Sequence, residues 1–419
     1  MESDGSAAVT RRAFLRSGAL ALVSFGLDPL FVARAAYARE VGGSTRGRRV
    51  LVCLFQRGAV DGLSMVVPHG DAAYYRGRPR IAIPREEVVD LDGHFGLHPA
   101  LEPLVPFWKD ARLAVVHAIG SPDPTRSHFD AQDFLESGTP GRKATEDGWL
   151  NRHLQAEGAS ASPVRAVAIA PTLPRTLQGK APAVAMTSIR EFGLRPTAGP
   201  AAARGFEDMY AAAVRDTLHA TGEEAFEAME TLRAVDSSRL SDNRGARRGR
   251  GSLGEGLAQV AELVKADLGV EVAFLETSGW DHHAAEGGAT GQLAARLRDL
   301  GGSLAAFYRD LGPRGDDVVL VTLTEFGRTV RENGNRGTDH GHGSVALVLG
   351  GGVRGGRVHG RWPGLGPSEL YEGRDLAVTT DFRDLLGELL TRHMGASDLR
   401  AVFPGHACDP QRFPGVMRV

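Results

Sequence analysis

The sequence predicts an α/β protein, a three-layer α/β/α sandwich around a mainly parallel sheet, on three observations. Continuous apolar runs of strand length recur along the chain, Val50 to Phe55 and Val270 to Leu275 among them. Such runs belong to strands buried on both faces, as in a parallel sheet. Between them lie stretches with helical spacing: from about Ala289 to Leu311, the residues Leu293, Leu297, Leu300, Leu304, Phe307 and Leu311 share one face. That is the stripe of a helix covering a sheet. The order of strand, helix and strand is the third sign, since it places helices on both sides of parallel strands.

Taken in order, the first strand stops at Gln56-Arg57-Gly58, Leu97 to Trp108 reads as a short helix, and Arg112 to His117 reads as a second strand. A Pro-Asp-Pro loop leads to Ser127-His128-Phe129, and helical spacing continues through Phe134 and Leu135 to Gly138. Val164 to Ile169 and Ala183 to Met186 are further strand candidates. From Ala201 to Leu268 the chain is rich in Ala, Glu and Arg, with a polar basic stretch from Ser237 to Gly251. The expectation there is a helical insertion with a flexible linker. Val270 to Leu275, Asp317 to Leu323 and Val345 to Leu349 complete the expected sheet.

The first 38 residues read as an address, not as fold. Thr10-Arg11-Arg12-Ala13-Phe14-Leu15-Arg16 is followed by the apolar run Ser17 to Val32 and the small residues Ala33 to Ala38. This is the layout of a signal peptide, and adjacent arginines before Phe-Leu match the twin-arginine export route. Cleavage is expected after Ala38, with Ala35 as the alternative. Gly26, Asp28 and Pro29 interrupt the run, which is short of the ~20 apolar residues of a spanning helix. Residues 39–419 are then one exported domain, periplasmic or secreted, with no stable membrane span after processing and the export machinery as its partner.

With 49 basic and 51 acidic residues the net charge is −2, which gives no footprint for nucleic acid or anionic lipid. Two cysteines, Cys53 and Cys408, make no disulfide framework. A single bridge between them stays open. The 54 glycines suit tight turns gathered around a site.

Polar clusters follow the expected strands, at the ends where open α/β sheets bind ligands. They are Arg57-Gly58-Ala59-Val60-Asp61-Gly62, Arg126-Ser127-His128-Phe129-Asp130, Gly279-Trp280-Asp281-His282-His283, Thr324-Glu325-Phe326-Gly327-Arg328 and Gly337-Thr338-Asp339-His340-Gly341-His342-Gly343. Carboxylates and imidazoles together are ligands for a divalent cation such as zinc, while all-oxygen sets suit calcium, magnesium or manganese. Ser127 at a helix start is a cap by default, but it also sits where free backbone N–H groups favour an anion. Asp61 before Gly62 is a common turn pair.

These same residues, with Thr329, Glu332 and Asn333, make the chain resemble the family labelled domain of unknown function 1501, grouped with the alkaline phosphatase and sulfatase superfamily. The resemblance runs from about residue 48 to 410 and implies an alkaline phosphatase-like fold. It further implies Asp61 as first metal ligand, Ser127 as nucleophile, Asp281 with His282 or His283 as later ligands, and His340 or His342 as the last. Glu325 falls where the superfamily has Asp, and Phe326 where it has His. The expected function is a metal-dependent hydrolase of phosphate or sulfate esters, with Arg57 and Arg328 holding the anion and Asp339 among the ligand candidates. The alternative is a non-catalytic binding protein on the same fold, for a glycan or anionic ester.

Overall fold

The structure is a computed structural model that describes residues 23–24, 49–143, 145–158, 162–189 and 252–418. Its strands are β1 (Val23–Ser24), β2 (Val50–Gln56), β3 (Val66–Val67), β4 (Val89–Asp90), β5 (Gly96–Leu97), β6 (Leu113–Gly120) and β7 (Ala166–Ile169), followed by β8 (Ala183–Met186), β9 (Val272–Thr277), β10 (Val318–Leu323), β11 (Ser344–Gly350), β12 (Arg357–His359) and β13 (Thr380–Asp381). The main sheet has the order β1-β8-β7-β9-β2-β10-β11-β6-β12, with β13 also on β6, while β3, β5 and β4 form a small separate sheet.

Strands β8, β7, β9, β2 and β10 run parallel. Strand β11 is antiparallel to both β10 and β6. The reason lies in its connection. Residues 324–343 contain no helix, so the chain leaves β10 and re-enters the sheet at the same end, and the strand must run back.

Alternation along the strands builds the three layers. Val50, Val52, Leu54, Ala273, Leu275, Val318 and Leu320 pack in one cluster with Leu257, Val260, Leu297 and Leu304. These last four come from the helices Ser252–Lys265 and Gln292–Leu311. Leu51, Cys53, Phe55, Phe274, Val319 and Val321 pack on the other side with Leu135, Trp149, Leu150, Phe382, Leu385 and Leu389. Successive side chains of a strand point to opposite faces, so one apolar run feeds both cores. Each fully buried Leu or Phe contributes about 1.5–3 kcal/mol.

The structure bears on three of these readings. Residues 201–251 of the expected insertion lie outside the described residues, but its final part, Ser252–Lys265, is a layer helix packed on β9 and on Gln292–Leu311. Leu97 to Trp108 is not one helix: β5 ends at Leu97, a 3-10 turn covers Pro99–Leu104, and α-helix covers only Val105–Lys109. Pro103 and Pro106 lack the N–H that a continuous helix requires. Cys53 and Cys408 are buried and free. The expected signal at residues 1–38 lies outside the described residues except for β1, which pairs with Val184 and Ala183. Among the described residues no helix is long and apolar enough to cross a membrane.

The sheet brings the polar loops to one rim. The carboxyl ends of β2, β9 and β10 lie side by side, and the start of β11 meets the end of β6 at Ser344 and Ile119. Close backbone contact holds these loops together. A Cβ on Gly327 would lie 1.8 Å from the Gly343 carbonyl oxygen, and Gly58, at φ +114°, faces the Asp281 backbone nitrogen.

Candidate metal centre

The helix His128–Ser137 opens with Ser127 as its cap, whose hydroxyl accepts from Asp130 N at 3.4 Å. The cap bonds back onto its own helix, and the next side chain, His128, enters the rim. His128 Nδ1 lies 2.8 Å from Glu325 Oε1. His340 Nδ1 lies 2.8 Å from the Arg126 carbonyl oxygen, and His283 Nδ1 lies 3.3 Å from Asp339 Oδ1. Each partner is an acceptor, so each Nδ1 carries the proton and donates. In the neutral rings the Nε2 atoms are left with lone pairs.

These lone pairs converge on Asp281. His283 Nε2 is 2.9 Å from Asp281 Oδ1 and 2.9 Å from His340 Nε2. His340 Nε2 is 3.3 Å from Asp281 Oδ1, and His128 Nε2 is 3.5 Å from Oδ2. His128 Nε2 is buried and has no hydrogen-bond partner. One ligand atom from each of His128, Asp281 and His340 lies within 4.8 Å of the other two. The donor in contact with Asp281 Oδ1 is Arg328 Nη2, at 2.6 Å.

The donor set fits a divalent cation. Bonds of about 2.0–2.1 Å in a tetrahedron separate ligand atoms by about 3.3 Å, and one ligand atom from each of His128, Asp281 and His340 lies within 4.8 Å of the other two. Imidazoles whose other nitrogen donates to a carboxylate or carbonyl are the usual form of metal-ligating histidine. Glu325 and Asp339 supply the carboxylates here, and Arg126 the carbonyl.

The charges agree with this. Burial pushes the Asp281 carboxyl up, but donation from Arg328 outweighs it and holds the pKa at about 2. The bond to Glu325 raises His128 above the ordinary imidazole value, whereas burial lowers His340. Glu325 stays ionised: burial opposes the charge, but His128 and Gln132 donate to it and lower its pKa. Phe326 is 3% exposed, and its ring supports both imidazoles, 4.9 Å from His128 and 5.0 Å from His340.

The model of the family described as "Protein of unknown function (DUF1501)" matches residues 48–404. The chain belongs to this family. No curated protein matches it by sequence. Among solved structures it is similar to the PsFucS1 sulfatase from Pseudoalteromonas sp., at 12% identity over 94% of this chain and 78% of that one, with a TM-score of 0.42. It is also similar to the lipoteichoic acid synthase LtaP from Listeria monocytogenes, at 9% identity over 76% of this chain and 71% of that one, with a TM-score of 0.32.

In this DUF1501 chain the residues expected at the site divide into three groups. Asp281, His283 and His340 come together and are joined by His128, which the sequence places in a polar cluster without a role. Its signal was its position directly after a helix cap. Glu325 and Asp339 are not at the point of convergence but hold the rings of His128 and His283. Glu325 Oε1 is saturated by Gly58 N, His128 Nδ1 and Gln132 Nε2, each at 2.8 Å.

The remaining residues are committed elsewhere. Asp61 is 1% exposed and is bound at both oxygens by the buried Arg78 guanidinium. Burial opposes its charge, yet Arg78 holds it at about 2. It serves that ion pair instead of the expected cation. His282 is buried, with Nδ1 unpartnered, and His342 stacks on Tyr371 at 4.4 Å. Arg57 does not stand free for an anion, since it bonds Glu276, Glu136 and Gln132. Nor does Arg328, which is buried and donates to the carbonyls of Gly58, Ala59, Trp280 and Thr338 and to Asp281. It is a knot that ties four rim segments together.

Proposed function

We propose that this chain is an exported, cation-dependent hydrolase of phosphate or sulfate esters. The observation that carries the reading is the convergence of three imidazole Nε2 atoms on one carboxylate, each ring's N–H turned outward to an acceptor. Without a cation or proton at that point the lone pairs repel one another. The ester class comes from the family's grouping with phosphatases and sulfatases.

His128, Asp281 and His340 hold the cation, with His283 in reach as a fourth ligand. When bound, a divalent ion supplies Lewis-acid stabilisation of charge developing on an ester oxygen. Glu325, Asp339 and the Arg126 carbonyl keep the three rings turned inward. Arg328 keeps Asp281 ionised and fixes the loops around it. Ser127 precedes His128, is exposed, and retains the hydroxyl expected of a nucleophile.

The test is metal content after reconstitution with zinc or manganese, together with turnover of aryl phosphate and aryl sulfate esters. Near-stoichiometric metal with turnover that chelation abolishes is the expected outcome. Folded protein that neither retains metal nor turns over either ester ends this reading. A second reading, a binding protein for an anionic or glycan ligand, is favoured by the commitment of Arg57 and Arg328 to internal partners. Metal-loaded protein that binds envelope glycan without turnover would support it.

A further inference from the structure

The buried carboxylate of Asp375 stands outside the converging ligands, yet it reaches the segments that carry two of them. Asp375 is 0% exposed. Its Oδ2 accepts from Arg126 Nη2 at 2.6 Å and Nε at 3.1 Å, and its Oδ1 accepts from Arg374 Nε at 3.0 Å. The Arg126 carbonyl takes the Nδ1 proton of His340 at 2.8 Å. Arg374 Nη2 donates to the backbone carbonyl of the same His340. Arg126 also stands two residues before His128, so its anchorage fixes the end of the loop that leads into that helix.

Asp375 is fully buried, whereas the side chains of Arg126 and Arg374 are 28% and 44% exposed, so one buried carboxylate anchors two partly exposed guanidinium groups. The pattern makes sense as register. Arg126 and Arg374 belong to separate loops, and one planar carboxylate binds both through paired N–H···O bonds of directional geometry. It thereby fixes the His340 ring from its Nδ1 side and its backbone from the carbonyl side.

We infer that Asp375 is a positioning residue of the candidate metal centre, acting through Arg126 and Arg374 to hold His340 in the Nδ1–H tautomer with Nε2 facing Asp281. The inference rests on the proposed cation site, and its test separates the two. In Asp375→Asn, zinc affinity should fall, by less than the about 10–100-fold that follows loss of a direct outer partner of a metal-ligating histidine, because the Arg126 carbonyl stays beside His340. The cobalt-substituted protein should show a shifted d–d absorption band. In the metal-free protein, long-range nitrogen NMR should find His340 as the Nδ1–H tautomer in the wild type and as a mixture in the variant. Because Asp375→Asn also weakens a buried ion pair, Arg374→Ala, at a half-exposed side chain, provides a milder version with the same two readouts. Glu372→Gln removes only the exposed partner of Arg126, at 2.7 Å, and should change neither.

Folded variants that keep the tautomer and the wild-type zinc affinity would overturn the inference, leaving Asp375 a structural acid. Wild-type protein that takes up no metal would instead sink the proposed function, and the tautomer measurement would still decide the role of Asp375.

Discussion

Replacing Glu325 with Gln separates a carboxylate that holds a ligand from one that fills space. Its Oε1 accepts three donors at 2.8 Å, His128 Nδ1 among them, and the residue is 1% exposed. Gln preserves the shape but removes the charge that makes His128 basic. Losing a partner of this kind weakens metal binding about 10–100-fold, or about 1.4–2.8 kcal/mol. The pH dependence has a definite sign. Because Glu325 raises His128 above the ordinary imidazole value, below that raised value the metal-free protein carries a proton there that a cation must displace. Zinc affinity therefore falls as pH drops through that raised value. In metal-free protein the same bond contributes stability that is complete below the ordinary imidazole value and lost as pH rises through the raised one. Gln brings His128 back toward the ordinary value, so the fall in affinity starts at lower pH. Calorimetric titration of zinc into both proteins between about pH 5.5 and 8 should show the largest gap at the top of that range and a narrowing gap toward the bottom. Equal dissociation constants at every pH, in a folded variant, would refute the argument that Glu325 orients a ligand.

Arg78→Met strands the buried Asp61 carboxylate and should cost about 3–5 kcal/mol in urea melts at neutral pH; a loss under ~1 kcal/mol would mean that the pair is not desolvated. With Asp61 held at about 2, its contribution in the wild type is complete above the ordinary carboxylate range and lost as pH falls through that range to about 2. Ser127→Ala removes a helix cap worth about 0.5–2 kcal/mol, at the low end given its 3.4 Å bond. If the hydroxyl is the nucleophile, ester turnover drops to background while zinc affinity holds, and undiminished turnover removes Ser127 from the mechanism. Replacing Arg11 and Arg12 with Lys should keep the full-length chain in the cytoplasm; continued export, followed by cell fractionation, would discard the twin-arginine address.

The fold was legible wherever burial alone decides structure. Val50 to Phe55 reads as a strand because both faces are covered, and it lies at the centre of the sheet. The rim was legible for the same reason, since polar residues after buried strands must emerge at one edge. Reversal of β11 was not, because nothing local in Val345 to Leu349 distinguishes a strand entered from one end of the sheet from one entered at the other. Asp61 shows a second limit. A carboxylate before Gly reads alike whether it faces solvent, a cation or an arginine 17 residues away, and only packing selects Arg78. Arg328 shows the converse: its charge reads as an anion clamp, but burial turns the guanidinium into a donor for backbone carbonyls that would otherwise lack partners.

Glu325-Phe326, at the end of β10, is the place where residue type and the observed geometry explain each other. A shorter acid followed by an imidazole would place two ligands at the end of β10. A longer acid followed by a phenyl ring places none there, but supplies an acceptor for His128 Nδ1 and a face for His128 and His340 to rest on. In the proposed centre the ligand role falls to the helix start at His128, whose Nε2 reaches the side of Asp281 that Arg328 leaves open. In the proposed centre the end of β10 orients and supports, while the loops before β11 and after β9 and the helix start at His128 would bind. A Phe326→His variant should therefore not add a ligand. It should remove the apolar face beneath two imidazoles and weaken zinc binding, and tighter binding in that variant would show that β10 still addresses the cation.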